Sequence, residues 1–98
     1  MEPDCIRISD VVVSTAGRDR GQMFYVIGTE GVDTLLANGK DRTLEKPKRK
    51  KLKHVSKVLR AETRVAAKLL SGDKVLNSEL RKDLAFFSRE LNSHNQGG

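Results

Sequence analysis

The stretch Val11–Gly28, VVVSTAGRDRGQMFYVIG, holds two apolar runs, Val11–Val13 and Met23–Ile27, on either side of a polar loop, Ser14–Gln22. Three consecutive β-branched residues favour a strand over a helix. Met23–Ile27 has the length of a strand and no polar interruption, which predicts burial on both faces. Met23, Tyr25 and Ile27 then share one side, and Phe24 and Val26 the other. Within the loop, Gly17 and Gly21 bracket Arg18, Asp19 and Arg20. Glycine serves where φ must be positive or where another backbone comes close. The loop is therefore expected to turn sharply and to present Arg18 and Arg20 at its tip, with Asp19 free to pair with either.

Working outward, Met1–Asp10 reads as a lead that joins the first strand near Ile6 or Ile8. Gly28 and Gly31 predict a turn around Thr29 and Glu30. Asp33–Ala37 reads as a third strand. Asn38-Gly39 supplies the two positive-φ positions of a tight type I′ hairpin, with a return strand over Lys40–Glu45. Pro47 blocks a helix and cannot donate to a central ladder, so Lys46–Val55 is expected to be extended and at an edge, anchored by Leu52 and Val55. Several short strands with tight turns in about fifty residues predict a closed barrel, which leaves no exposed sheet edge. A helix is expected from Lys57 to Leu70, ending near Ser71-Gly72-Asp73. A second is capped by Asn77 or Ser78, with Leu80, Leu84, Phe87 and Leu91 in one apolar stripe. Phe86, off that stripe, is expected to widen the core face, with a partner contact as the alternative, and Ser93–Gly98 to be a frayed polar tail. The fold class is mostly β with C-terminal α: residues 6–55 form a small barrel with a basic extension, and residues 57–92 a helical extension packed on it.

The net charge of +6 over 98 residues is unevenly placed. Lys40–Arg60 holds ten Lys/Arg against two acids, whereas the rest of the chain is slightly acidic. One cationic band on a near-neutral body is the footprint of a polyanion binder. Lys48, Arg49, Lys50, Lys51 and Lys53, flanked by Arg42 and Arg60, are placed to contact phosphates, and such contacts give affinity with a steep salt dependence. Arg18 and Arg20 add guanidinium groups suited to bidentate contacts. The four aromatic residues all fall where a core is expected, so recognition by base stacking is not expected, and backbone and shape recognition fits better.

Other chemistry finds no purchase. Cys5 is the single cysteine, and His54 and His94 are isolated, so no metal site is expected. No nucleophile triad, phosphate-binding glycine loop of nucleotide hydrolases or paired-carboxylate pattern occurs, and no enzyme activity or cofactor is expected. Neither an apolar run of about 18 residues nor the order of a signal peptide is present, so membrane attachment is not expected and the cytoplasm is the expected location. The string Pro47–Lys51 also has the composition of a nuclear-import signal.

The first apolar strand, Gly17-Arg18-Asp19-Arg20-Gly21, the second strand ending at Gly28, Asn38-Gly39 and Leu44–Lys48 together resemble the KOW motif of RNA-binding proteins in translation and transcription. The resemblance covers the first half of the chain well and the second loosely. It implies an SH3-like barrel similar to that of large-subunit ribosomal proteins of archaea and eukaryotes. It further implies binding to ribosomal RNA through Arg18, Arg20, Lys46, Lys48, Arg49, Lys50, Lys51, Lys53 and His54, with Gly17 and Gly21 setting the loop geometry; Arg42 joins this set as part of the basic band. The alternative is a protein-interaction module of the transcription or translation machinery, docking a partner through the C-terminal helix.

Overall fold

A computed structural model describes residues 5–96. Five strands form one antiparallel sheet: β1 (Asp10–Ser14), β2 (Met23–Glu30), β3 (Asp33–Ala37), β4 (Lys48–Lys51) and β5 (Val55–Arg60). Two helices follow, α1 (Arg64–Ser71) and α2 (Asn77–Gln96). The strand order is β4-β3-β2-β1-β5. The sheet is open: β4 and β5 are its two edges, joined in sequence by a single 3-10 turn, Leu52–His54.

The two-faced burial expected of Met23–Ile27 is what the sheet shows, and Val11 and Val12 divide in the same way. Val12, Phe24, Val26, Leu36 and Val55 pack together on one face, with Ile6 laid against them. Val11, Tyr25 and Ala37 face the other way and meet Ala61, Val65 and Ala66 from the α1 region and Leu80, Leu84 and Phe87 of α2, with Met23 and Ile27 at the margin. The helices therefore cover the second face, and Leu80, Leu84 and Phe87 of the α2 stripe are buried on the sheet, whereas Leu91 is half-buried outside this cluster. A polar trio locks this layer. The Tyr25 hydroxyl, buried inside it, donates to Asp83 Oδ2 at 2.7 Å, and Thr63 Oγ1 donates to the same oxygen at 2.7 Å. Thr63 Oγ1 also accepts from Ala66 N–H and so caps α1. Burial, followed by the adjacent Asp83 carboxylate, pushes the Tyr25 hydroxyl well above its ordinary pKa, although Thr63 opposes the shift.

Several boundaries differ from the sequence expectation. β1 begins only at Asp10, after a turn in which Ser9 has φ 79° and Asp10 Oδ2 accepts from Arg7 N–H at 2.8 Å. Thr29 and Glu30 belong to β2, and the turn is Gly31-Val32. No return strand covers Lys40–Glu45; Asn38–Pro47 is one long loop. Asn38 Oδ1 accepts from the N–H groups of Lys40 and Arg42, folding the chain back without a ladder. Gly39 is required for a different reason than a hairpin. Its φ is 77°, and a Cβ there would lie 2.2 Å from the carbonyl oxygen of Asn77, so this glycine is where the start of α2 sits on the loop. Asn77 then bonds the loop through both ends of its amide, to Leu44 N–H and Glu45, and Arg81 donates to the Gly39 carbonyl at 2.6 Å.

Residues 57–60, expected in a helix, are strand. The register with β1 shifts between Val11 and Val12, a bulge that leaves Val58 and Leu59 adjacent on the partly buried side. A bulge breaks the period-2 pattern that identifies a strand in sequence. α1 ends as expected at Gly72, which takes a left-handed conformation. α2 runs on to Gln96, through residues expected to fray; the rest of the expected tail, Gly97-Gly98, and Met1–Asp4 lie outside the described residues. Phe86 is 48% exposed and touches Phe87 edge to face, so it is a surface residue and not part of the core.

Candidate functional site

The glycine loop is held shut at its base by backbone bonds. Ser14 N–H donates to the Gln22 carbonyl at 3.0 Å, Gly21 N–H to the Ser14 carbonyl at 2.8 Å, and Gln22 N–H to the Asp19 carbonyl at 2.9 Å. Gly17 and Gly21 both have positive φ, 85° and 89°. Arg18 and Arg20 are exposed, as the sequence predicts. Asp19 turns inward and pairs with neither. It is 8% exposed and sits among Ser14 Oγ (2.8 Å), Lys50 Nζ (3.0 Å) and Lys48 Nζ (3.1 Å to the other carboxylate oxygen, an ion pair without hydrogen-bond alignment). Burial alone would raise the Asp19 pKa, but the hydrogen bonds from Ser14 and Lys50 and the charge of the adjacent Lys48 outweigh it and hold the carboxyl well below the usual range.

This pairing decides what the basic band can do. β4 is an edge strand, as expected for the segment after Pro47, and successive side chains point to opposite faces. Lys48 and Lys50 lie opposite Leu36 and Thr34 of β3, both fully buried, and turn toward the inner face. There Lys50, 9% exposed, also donates to the Ala16 carbonyl at 2.9 Å. Arg49 turns outward but is met by Glu30 and by Asp33 at 3.2 Å across the β2–β3 turn. The band is thus not one solvated array. Lys48 and Lys50 brace the glycine loop, and Arg49 is compensated.

Arg18, Arg20, Arg42, Lys46, Lys51 and Lys53 remain, all exposed and none paired with a carboxylate among the described residues. Arg20 Nε reaches only the Thr15 carbonyl, at 3.4 Å. His54 is half-buried, and its carbonyl accepts from Thr15 N–H at 2.9 Å, which ties the 3-10 turn to the glycine loop. The structure brings Arg18, Arg42 and Lys48 together around one cavity of about 200 Å³, shared with Asp19, Gln22, Phe24 and Asp41. Arg49 and Lys51 stand apart from it, paired in register with Leu35 and Asp33.

Sequence reasoning missed Asp19 as the counter-ion of β4, and Glu30 and Asp33 as partners of Arg49. Asp19 and Lys50 are 31 residues apart, and only the fold joins them. The alternation of a strand was the available signal: four consecutive basic residues in β4 cannot all face the same way. Among the described residues no group of three or more His, Cys, Asp and Glu could hold a metal ion, and no helix is long and apolar enough to cross a membrane. No protein-family model and no curated protein matches this chain.

Proposed function

We propose that this protein binds structured RNA without catalysis, as a ribosomal or ribosome-associated protein of the cytoplasm. The observation that carries this reading is the set of six exposed cations, Arg18, Arg20, Arg42, Lys46, Lys51 and Lys53, left without acidic partners beside a braced glycine loop. Such groups neutralise phosphates and release counterions, an affinity that needs no base contacts. The rigid loop would fix the register, and the lysines would supply attraction. The KOW-like stretch Val11–Gly28 favours ribosomal RNA of the large subunit. It also favours reading the open sheet as an SH3-like barrel, and the direct passage from edge β4 to edge β5 through one turn supports that curl.

A protein-interaction role is the second reading, and Phe86, a large exposed apolar side chain on α2, is what favours it. The burial of Leu80, Leu84 and Phe87 on the sheet weighs against the helix as a docking stripe. Sedimentation of cell lysate through sucrose at low and high salt separates the two. Co-migration with large subunits that is lost as salt rises is the expected result. Retention at the top of the gradient in both salts would shift the assignment to a protein partner or a smaller RNA.

A further inference from the structure

The cavity between the glycine loop and the Asn38–Pro47 loop has a composition that phosphate binding alone does not need. Two exposed guanidinium groups from different loops, Arg18 and Arg42, line it, and neither is paired with a carboxylate among the described residues. Gln22, exposed and just after Gly21, adds an amide with both donor and acceptor capacity. Phe24 lies behind its floor, fully buried in the sheet core and without surface of its own. The acids present are engaged elsewhere: Asp19 by Ser14 and the β4 lysines, and Asp41 by Asn38 Nδ2 at 2.8 Å. Lys48 keeps a quarter of its side chain exposed at the rim.

Flat guanidinium groups stack on the faces of bases, and an amide can hydrogen-bond a base edge in two directions. At about 200 Å³ the cavity lies below the roughly 300 Å³ at which pockets for drug-sized molecules begin, so it suits one ring and not an extended ligand. We propose that this cleft takes a single unpaired nucleotide of the bound RNA, its base stacked on Arg18 and Arg42 with its edge on Gln22, and its phosphate toward Lys48. The inference rests on the RNA-binding reading and adds to it a preference for a bulged or looped nucleotide. It gives a recognition device to a protein with few aromatic side chains, because guanidinium planes replace aromatic platforms.

The test uses two fluorescent RNA hairpins that differ by one unpaired nucleotide in the stem, with affinities measured by anisotropy for the full chain and for Gln22→Ala and Arg42→Gln. The expected result is that the bulged hairpin binds roughly tenfold or more tightly, as stacking of a single base would give. Gln22→Ala and Arg42→Gln should each reduce that ratio, with Gln22→Ala leaving affinity for the unbulged stem unchanged. Circular dichroism verifies that both variants are folded. Equal binding of the two RNAs by the wild type would overturn the cleft assignment while leaving backbone recognition intact. A bulge preference that persists in both variants would also overturn it. Failure of both RNAs to bind at low salt would overturn the cleft and the RNA-binding reading together.

Discussion

Asp19 sets the electrostatics of the glycine loop, because two lysines of β4 have their charges met by this one buried carboxylate. Removing one partner of a buried charge cluster leaves the others uncompensated, so Asp19→Asn is expected to destabilise the protein by about 2–3 kcal/mol at neutral pH, below the full value for a completely buried pair because Lys48 is partly exposed. The folded-state pKa of Asp19 is depressed. Its stabilisation is therefore complete above the ordinary carboxylate pKa, near 4, and is lost as pH falls below that value. Thermal melts from neutral to acid pH should show the gap between wild type and Asp19→Asn closing on acidification; a gap independent of pH would contradict the pairing. Two glycines make a second comparison at this scale. Gly21→Ala meets open space and pays only for its left-handed backbone, about 1 kcal/mol. Gly39→Ala adds a collision with the Asn77 carbonyl and should cost more than about 2 kcal/mol by chemical denaturation.

At the level of elements, α2 is fastened by its apolar stripe and by Asp83. Leu80→Ala or Phe87→Ala should cost about 2–5 kcal/mol, whereas Phe86→Ser, at the exposed position, should cost about 1 kcal/mol or less. Tyr25 offers an independent probe because it is the single tyrosine of the chain. Its pKa is raised in the folded state, so the stability it contributes is present below the ordinary value near 10 and is lost as pH rises above it. Ultraviolet absorbance should show no phenolate until helical circular dichroism is lost, the two transitions coinciding. Phenolate appearing in the folded protein near the ordinary value would contradict the Tyr25–Thr63–Asp83 lock. Local patterns made much of this level legible. The face assignments of Met23–Ile27, the stop at Gly72 and the burial of Leu80, Leu84 and Phe87 on α2 follow from periodicity and cap chemistry. Asn38-Gly39 was misleading because positive φ is equally useful for a close approach, and what approaches is Asn77, distant in sequence. β5 was hidden by its bulge.

At the level of the whole molecule, the band of ten basic residues in Lys40–Arg60 was legible as charge but not as a surface. Which cations face water depends on the alternation of β4 and on acids supplied by the loop after β1 and the β2–β3 turn. Reversing charge at Lys48 and Lys50 would break buried pairs, so loss of binding there would not identify an interface. The exposed set is the discriminating one, and the salt dependence of RNA affinity is the most direct measure of it. With Arg18, Arg20, Arg42, Lys46, Lys51 and Lys53 on phosphates, the plot of log affinity against log salt for a structured RNA should have a negative slope of about 5, and the variant Arg18→Glu/Arg20→Glu/Lys51→Glu/Lys53→Glu should make it shallower by about 3. A variant that keeps the wild-type slope and affinity, or a wild type whose affinity for RNA does not respond to salt, would contradict the assignment of these cations as the RNA-binding surface.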